Sequence, residues 1–166
     1  MREHFFAPWS TNLKLTTGGL AIVLIIAAVA TAGWGSLVLL AILLVTAAFA
    51  IRGYSVMDGK LLIHHLGWAN KFDLADLVSV EVSPGATMGS LRTMGIGGFF
   101  GSIGHFHNEI LGSYKAFATN EFNTVVMVFG TETIVVTPDD PEEFVEAVTA
   151  ASPALSPVAE PDSVEE

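Results

Sequence analysis

From residue 15 to residue 51 the chain reads LTTGGLAIVLIIAAVATAGWGSLVLLAILLVTAAFAI, without one Asp, Glu, Lys or Arg. A continuous helix of that length would rise roughly 55 Å, against the ~30 Å of a hydrocarbon core. The stretch therefore divides at the small-residue turn Ala32-Gly33-Trp34-Gly35-Ser36 into two arms, residues 17–32 and 36–51. The expected plan is a lead (residues 1–14), a transmembrane helical hairpin (15–52), an exposed domain (53–151) and a disordered acidic tail (152–166).

Charge sets the expected topology. Arg2 and Lys14 precede the first arm, Arg52 and Lys60 follow the second, and the turn carries no cation. The positive-inside bias places both termini in the cytoplasm. Trp9, Trp34 and Tyr54 suit the two membrane–water interfaces. Gly18, Gly19 and the many alanines permit close helix contact. No ionisable group lies inside either arm, which argues against a proton or ion path through the hairpin. Ala30-Thr31-Ala32 has the small residues of a signal-peptide cleavage site. A second apolar run follows at once, so an uncleaved hairpin is the reading.

Beyond residue 52 the chain behaves as an acidic soluble domain, with four Lys and Arg against sixteen Asp and Glu. Such a field repels nucleic-acid backbones and anionic headgroups, which are held mainly by Lys and Arg. Nucleic acid is excluded as a partner on that ground. The chain has no cysteine, so disulfides, thiolate metal sites and Cys nucleophiles are absent.

The apolar period then changes to two. Residues 54–57 and 60–66 form a hairpin about Asp58-Gly59, a strong turn pair. Strands are expected at residues 70–74, 76–82, 114–119, 124–129 and 133–137, making seven. Residues 91–112 are rich in Gly and aromatics and read as a flexible or bulged connection. Asp140-Pro141 with Glu143 marks a capped helix start, and Phe144, Val145 and Val148 give that helix an apolar face.

Several features carry a resemblance: the membrane hairpin, Asp58-Gly59-Lys60-Leu-Leu-Ile, and Phe72-Asp-Leu-Ala-Asp-Leu-Val-Ser-Val80. With them go the glycine-rich centre from Arg92 to Gly104, Leu111-Gly112-Ser-Tyr114, and Val136-Thr-Pro-Asp-Asp-Pro-Glu-Glu-Phe144. In this order the chain resembles bacterial pleckstrin-homology (PH) domain proteins that carry short membrane hairpins. The resemblance implies an α+β, mainly β chain of the bacterial cell membrane. Two transmembrane helices would be followed by a PH-like seven-stranded β-barrel or sandwich with a C-terminal helix. It implies a binding or scaffold module with no catalytic residues and no cofactor. The first hairpin turn, Met57-Asp58-Gly59-Lys60, sets one cation beside one anion, so phosphoinositide binding is not expected.

The most distinctive segment is MGIGGFFGSIGHFHNEILGS, residues 94–113. Its glycines do not keep the dinucleotide-loop spacing, and no strand–helix crossover surrounds them. Phe99, Phe100, Ile103, Phe106 and Ile110 are candidates for an apolar loop facing lipid or a protein partner. His105, His107 and Glu109 would share a face of an extended chain and form the candidate metal set. On that set rests a rival reading, a metal-dependent sensor or enzyme. A further alternative is an accessory subunit of a larger membrane complex. No G-x-S-x-G nucleophile elbow occurs. The functional expectation is a membrane-anchored binding or scaffold module. It would use the Gly/Phe loop or an open sheet edge to hold a protein partner or a second copy.

Overall fold

A computed structural model describes residues 3–31, 33–98 and 100–155. Phe99, Ala32 in the hairpin turn, Arg2, and the tail from residue 156 lie outside the described residues. In chain order the elements are β1 (His4–Phe6), α1 (Thr11–Thr31), α2 (Trp34–Ala48), β2 (Gly53–Met57), β3 (Lys60–His64) and β4 (Ala69–Asp73). A single 3-10 turn, Leu74–Asp76, leads to β5 (Leu77–Val82), β6 (Leu91–Ile96), β7 (Ser102–Asn108), β8 (Gly112–Ala118), β9 (Val125–Phe129), β10 (Thr133–Val136) and α3 (Pro141–Ala151).

The strands form two open sheets, one ordered β1-β2-β3-β4 and the other β5-β9-β10-β8-β7-β6. Of the expected seven-stranded barrel or sandwich, the barrel is therefore corrected: the sheets do not close, and they hold four strands and six. Two segments account for the extra strands. The lead contributes β1, which pairs antiparallel with β2, and the glycine-rich stretch read as a connection folds into β6 and β7. All pairs are antiparallel except β8 with β10.

Local chemistry explains the elements that were expected. At the β2–β3 turn Asp58 and Gly59 both adopt positive φ, 51° and 68°, the geometry a two-residue hairpin requires and an Asp-Gly pair tolerates. Asp140 caps α3 by accepting from the Glu143 N–H at 3.0 Å, and Pro141 supplies the first turn. Helix α1 starts at Thr11, earlier than expected, because the Ser10 hydroxyl oxygen accepts from the Leu13 N–H at 3.2 Å and caps it.

One hydrophobic core draws on both sheets and α3. Phe5, Tyr54, Leu61, Leu77, Met127 and Phe144 are all but fully buried in it. Phe144 stands edge-on to Phe5 and Tyr54, at ring distances of 5.1 and 6.1 Å. A second cluster, including Phe106, Tyr114, Val126 and Val135, lies on the opposite face of the six-stranded sheet. Strands β9 and β10, VVMVF and TIVV, are buried on both faces, so they read as continuous apolar runs instead of alternating.

Tyr54 was expected at a membrane interface and is instead a core residue. Its hydroxyl donates to the Phe117 carbonyl at 2.7 Å and accepts from the Thr137 N–H at 3.2 Å. Burial pushes its pKa up to about 12.

Among the described residues one helix, α1, is long and apolar enough to cross a membrane, whereas α2 has 15 residues. The lead does not stand apart from the β-structure. Phe6 and Asp139 exchange two hydrogen bonds at 3.0 Å, Val56 N–H donates to Glu3 O, and Ser10 N–H donates to Thr119 O. At the other end Ser152 is buried and its hydroxyl donates to Leu74 O at 2.9 Å, latching the end of α3 to the sheet turn.

Candidate functional site

The β6–β7 hairpin owes its form to glycine. Gly95 lies opposite Gly104, with φ of +116° and +130°. A Cβ on Gly95 would fall 2.2 Å from the Ile103 carbonyl oxygen, and one on Gly104 2.3 Å from that of Met94. Only two facing glycines let these backbones approach so closely. A register shift between Arg92 and Met94 adds a bulge, and the Thr93 hydroxyl donates across to His105 O.

The hairpin tip docks on the root of α1. The Thr16 hydroxyl lies 3.0 Å from Gly98 O, sharing its proton with Asn12 O at 2.9 Å, and the Phe100 N–H donates to the Thr17 hydroxyl oxygen at 3.1 Å. The Trp9 ring meets Phe100 edge-on at 5.9 Å. Behind this contact is a half-open cavity of about 320 Å³ between the α1 root and strands β7 and β8, with Leu13, Phe106, Tyr114 and Thr119 in its wall. Its one charged lining residue among the described residues is Glu121. Tyr114, stacked on Phe106, donates to Ser90, which Asn108 also holds.

Strand β6 forms one end of the six-stranded sheet. Leu91 and Met94 on it are 73% and 70% exposed, which presents an apolar, open edge.

The four candidate apolar residues that are described do not come together on one loop. Phe99 lies outside the described residues. Phe100 packs on Trp9 at the α1 root. Pleating separates Ile103 from Phe106, since Ile103 pairs with Phe117 and packs on the main core, whereas Phe106 pairs with Tyr114 in the second cluster. Ile110 is exposed in the β7–β8 turn.

His105 and His107 do share a face of β7, as alternation dictates. Yet His105 is paired across the strand with Lys115, itself ion-paired to Glu132, and His107 hydrogen-bonds Ser113 at 3.2 Å. Glu109 falls in the turn beyond β7. Among the described residues no three His, Cys, Asp or Glu side chains are placed to hold a metal ion.

Sequence reasoning missed a different histidine cluster. Ser55 is buried between His4 and His64, with Oγ 2.8 Å from His4 Nδ1 and 2.9 Å from His64 Nε2. His4 reaches this place only because β1 pairs with β2, and three residues of lead give no periodic signal of that pairing. His65, on the other side of the chain, stacks on Trp68 and hydrogen-bonds Phe49 O at 2.8 Å. Burial, then the nearby His4 and His65, lowers the His64 pKa below 6.5. Burial lowers that of His65 too, opposed by its bond to Phe49.

The unfolded chain therefore takes up protons on these histidines before the folded one does. Their contribution to stability is intact above pH 6.5 and fades as pH falls from there through the lowered folded values. Thermal melts in detergent should show Tm falling on acidification through that window. A His64→Gln, His65→Gln double variant should flatten this dependence.

Two open sheets sharing a core with a single C-terminal helix define a small α+β domain. A family model described as a bacterial PH domain matches residues 52–152, and the chain belongs to that family. No curated protein and no solved structure matches it.

Proposed function

We propose that this chain is a non-catalytic binding and scaffold module, anchored in the bacterial cell membrane by its helical hairpin. Its β6 edge receives an extended segment of a protein partner. Membership of a generally non-catalytic family supports the first part. The charge-free hairpin supports integral membrane attachment, and the Lys and Arg residues at both its ends, absent from its turn, support cytoplasmic termini. The observation that carries the recognition surface is the exposed apolar edge of β6. It offers backbone hydrogen bonds to an added strand, with Leu91 and Met94 as side-chain contacts. Tethering at the bilayer raises the effective concentration of any membrane-bound partner, so the contact need not be tight. Neither the acidic surface nor the cavity lining favours a phosphoinositide headgroup.

A photo-crosslinker placed at Met94 in native membranes tests the reading, with Phe122, equally exposed but on a loop away from β6, as control. A discrete protein adduct at Met94, absent from Phe122 and lost when Leu91 is changed to Asp, is expected. Adducts equal at both positions, or none at Met94, overturn edge recognition. An adduct with a second copy of the chain assigns the edge to self-association.

A further inference from the structure

The hairpin arms have the same free length, and both are short. The first turns of α1, from Thr11 through Thr17, belong to the β-domain. Leu13 and Thr17 are buried there, and Thr16 and Thr17 bond to the β6–β7 tip. That leaves residues 18–31, about 21 Å of helix. Helix α2 provides 15 residues, about 22 Å, before its end is fastened as firmly. There Ala48 O accepts from Leu66 N–H, and Phe49 meets Trp68 edge-on at 4.9 Å. Both arms thus rise from the domain by the same amount and fall about 8 Å short of a ~30 Å hydrocarbon core.

Either the turn ends inside the hydrocarbon or the bilayer thins to meet it, and the chemistry of the turn decides between them. Helix ends leave four carbonyls on α1 and four N–H groups on α2 without helical partners. Gly33, which begins α2, provides no side-chain cap. The nearby hydroxyls are turned elsewhere: Thr31 donates to Ala27 O at 2.8 Å, and Ser36 to Gly33 O at 2.7 Å. Trp34 is 86% exposed at the tip, with an amphipathic ring suited to headgroups. Stranding these backbone groups in hydrocarbon costs several times more than thinning a bilayer by about 8 Å.

We infer that the hairpin is a thickness-matched anchor. It crosses a locally thinned bilayer with its Gly33–Trp34 turn at the far interface, and so favours membranes of short hydrocarbon span. This rests on the anchor reading above and adds the kind of bilayer the hairpin fits.

The test uses the full chain, which has no native cysteine. Ser36→Cys reports the tip and Phe122→Cys the domain. Each is reconstituted in dimyristoleoyl, dioleoyl or dierucoyl phosphatidylcholine vesicles and exposed on both sides to a membrane-impermeant maleimide. Tip labelling should fall several-fold from the shortest lipid to the longest, while domain labelling stays constant. Lengthening each arm by one helical turn should restore tip labelling in the longest lipid. Tip labelling equal in all three lipids, or absent from all three, overturns the thickness match and leaves the anchor standing. Release of the chain from every vesicle by alkaline carbonate overturns the anchor itself, and the thickness match with it.

Discussion

Changing Phe144 to Ala should destabilise the folded domain by about 3–5 kcal/mol, the range for removing a fully buried aromatic ring. Phe144 has no solvent exposure and is the one ring of α3 that touches both the lead, through Phe5, and the first hairpin, through Tyr54. Its loss opens a cavity where α3 and the four-stranded sheet share one core, and the Asp140 cap cannot compensate because it acts on the helix alone. Denaturant titration of the detergent-solubilised chain would read the loss. With a typical domain stability of about 5–15 kcal/mol, the variant should sit close to the folding threshold. Phe144→Leu should recover more than half of the difference by refilling most of the volume. A midpoint unchanged by the Ala substitution would show that α3 is not part of the cooperative unit.

The parts of the fold that were legible from sequence are those set by a local rule. Asp58-Gly59 announces its hairpin because few residue pairs accept two positive φ angles in succession. Asp140-Pro141 announces α3 because capping is settled within four residues. The parts that were not legible depend on distant partners. His4–Phe6 is too short to show a period, and it becomes a strand only because β2 is there to pair with it. Ile103 and Phe106 look alike in a list of apolar residues, yet the pleat sends them to different cores. Glycine was the most misleading signal. In residues 91–112 it reads as a flexible or bulged connection; the bulge is present between Arg92 and Met94, but Gly95 and Gly104 mark two strand backbones pressed together. Composition shows that a side chain is missing and not what has taken its place.

That difference makes Gly104→Ala the more diagnostic substitution. The new methyl would lie 2.3 Å from the Met94 carbonyl oxygen and 2.8 Å from the Gly95 Cα, both backbone atoms that no side-chain rotation can move aside. The φ of +130° adds strain of about 1–3 kcal/mol for any residue with a Cβ. Strand β6 must therefore part from β7. Because β6 ends the sheet, the damage should stay local: amide protection lost along β6 and protease cleavage gained near residues 91–98, with β8, β9 and β10 still protected. Hydrogen exchange resolved by peptide would read this directly. Gly112 supplies the control, since it also has positive φ, +65°, but open space where a Cβ would sit. Gly112→Asn should be nearly neutral, because Asn tolerates that backbone and meets nothing there. If β6 carries recognition, Gly104→Ala should abolish the Met94 adduct while the chain stays folded and membrane-bound, and Gly112→Asn should leave it intact. An adduct that survives the loss of β6 protection would place the partner on another surface.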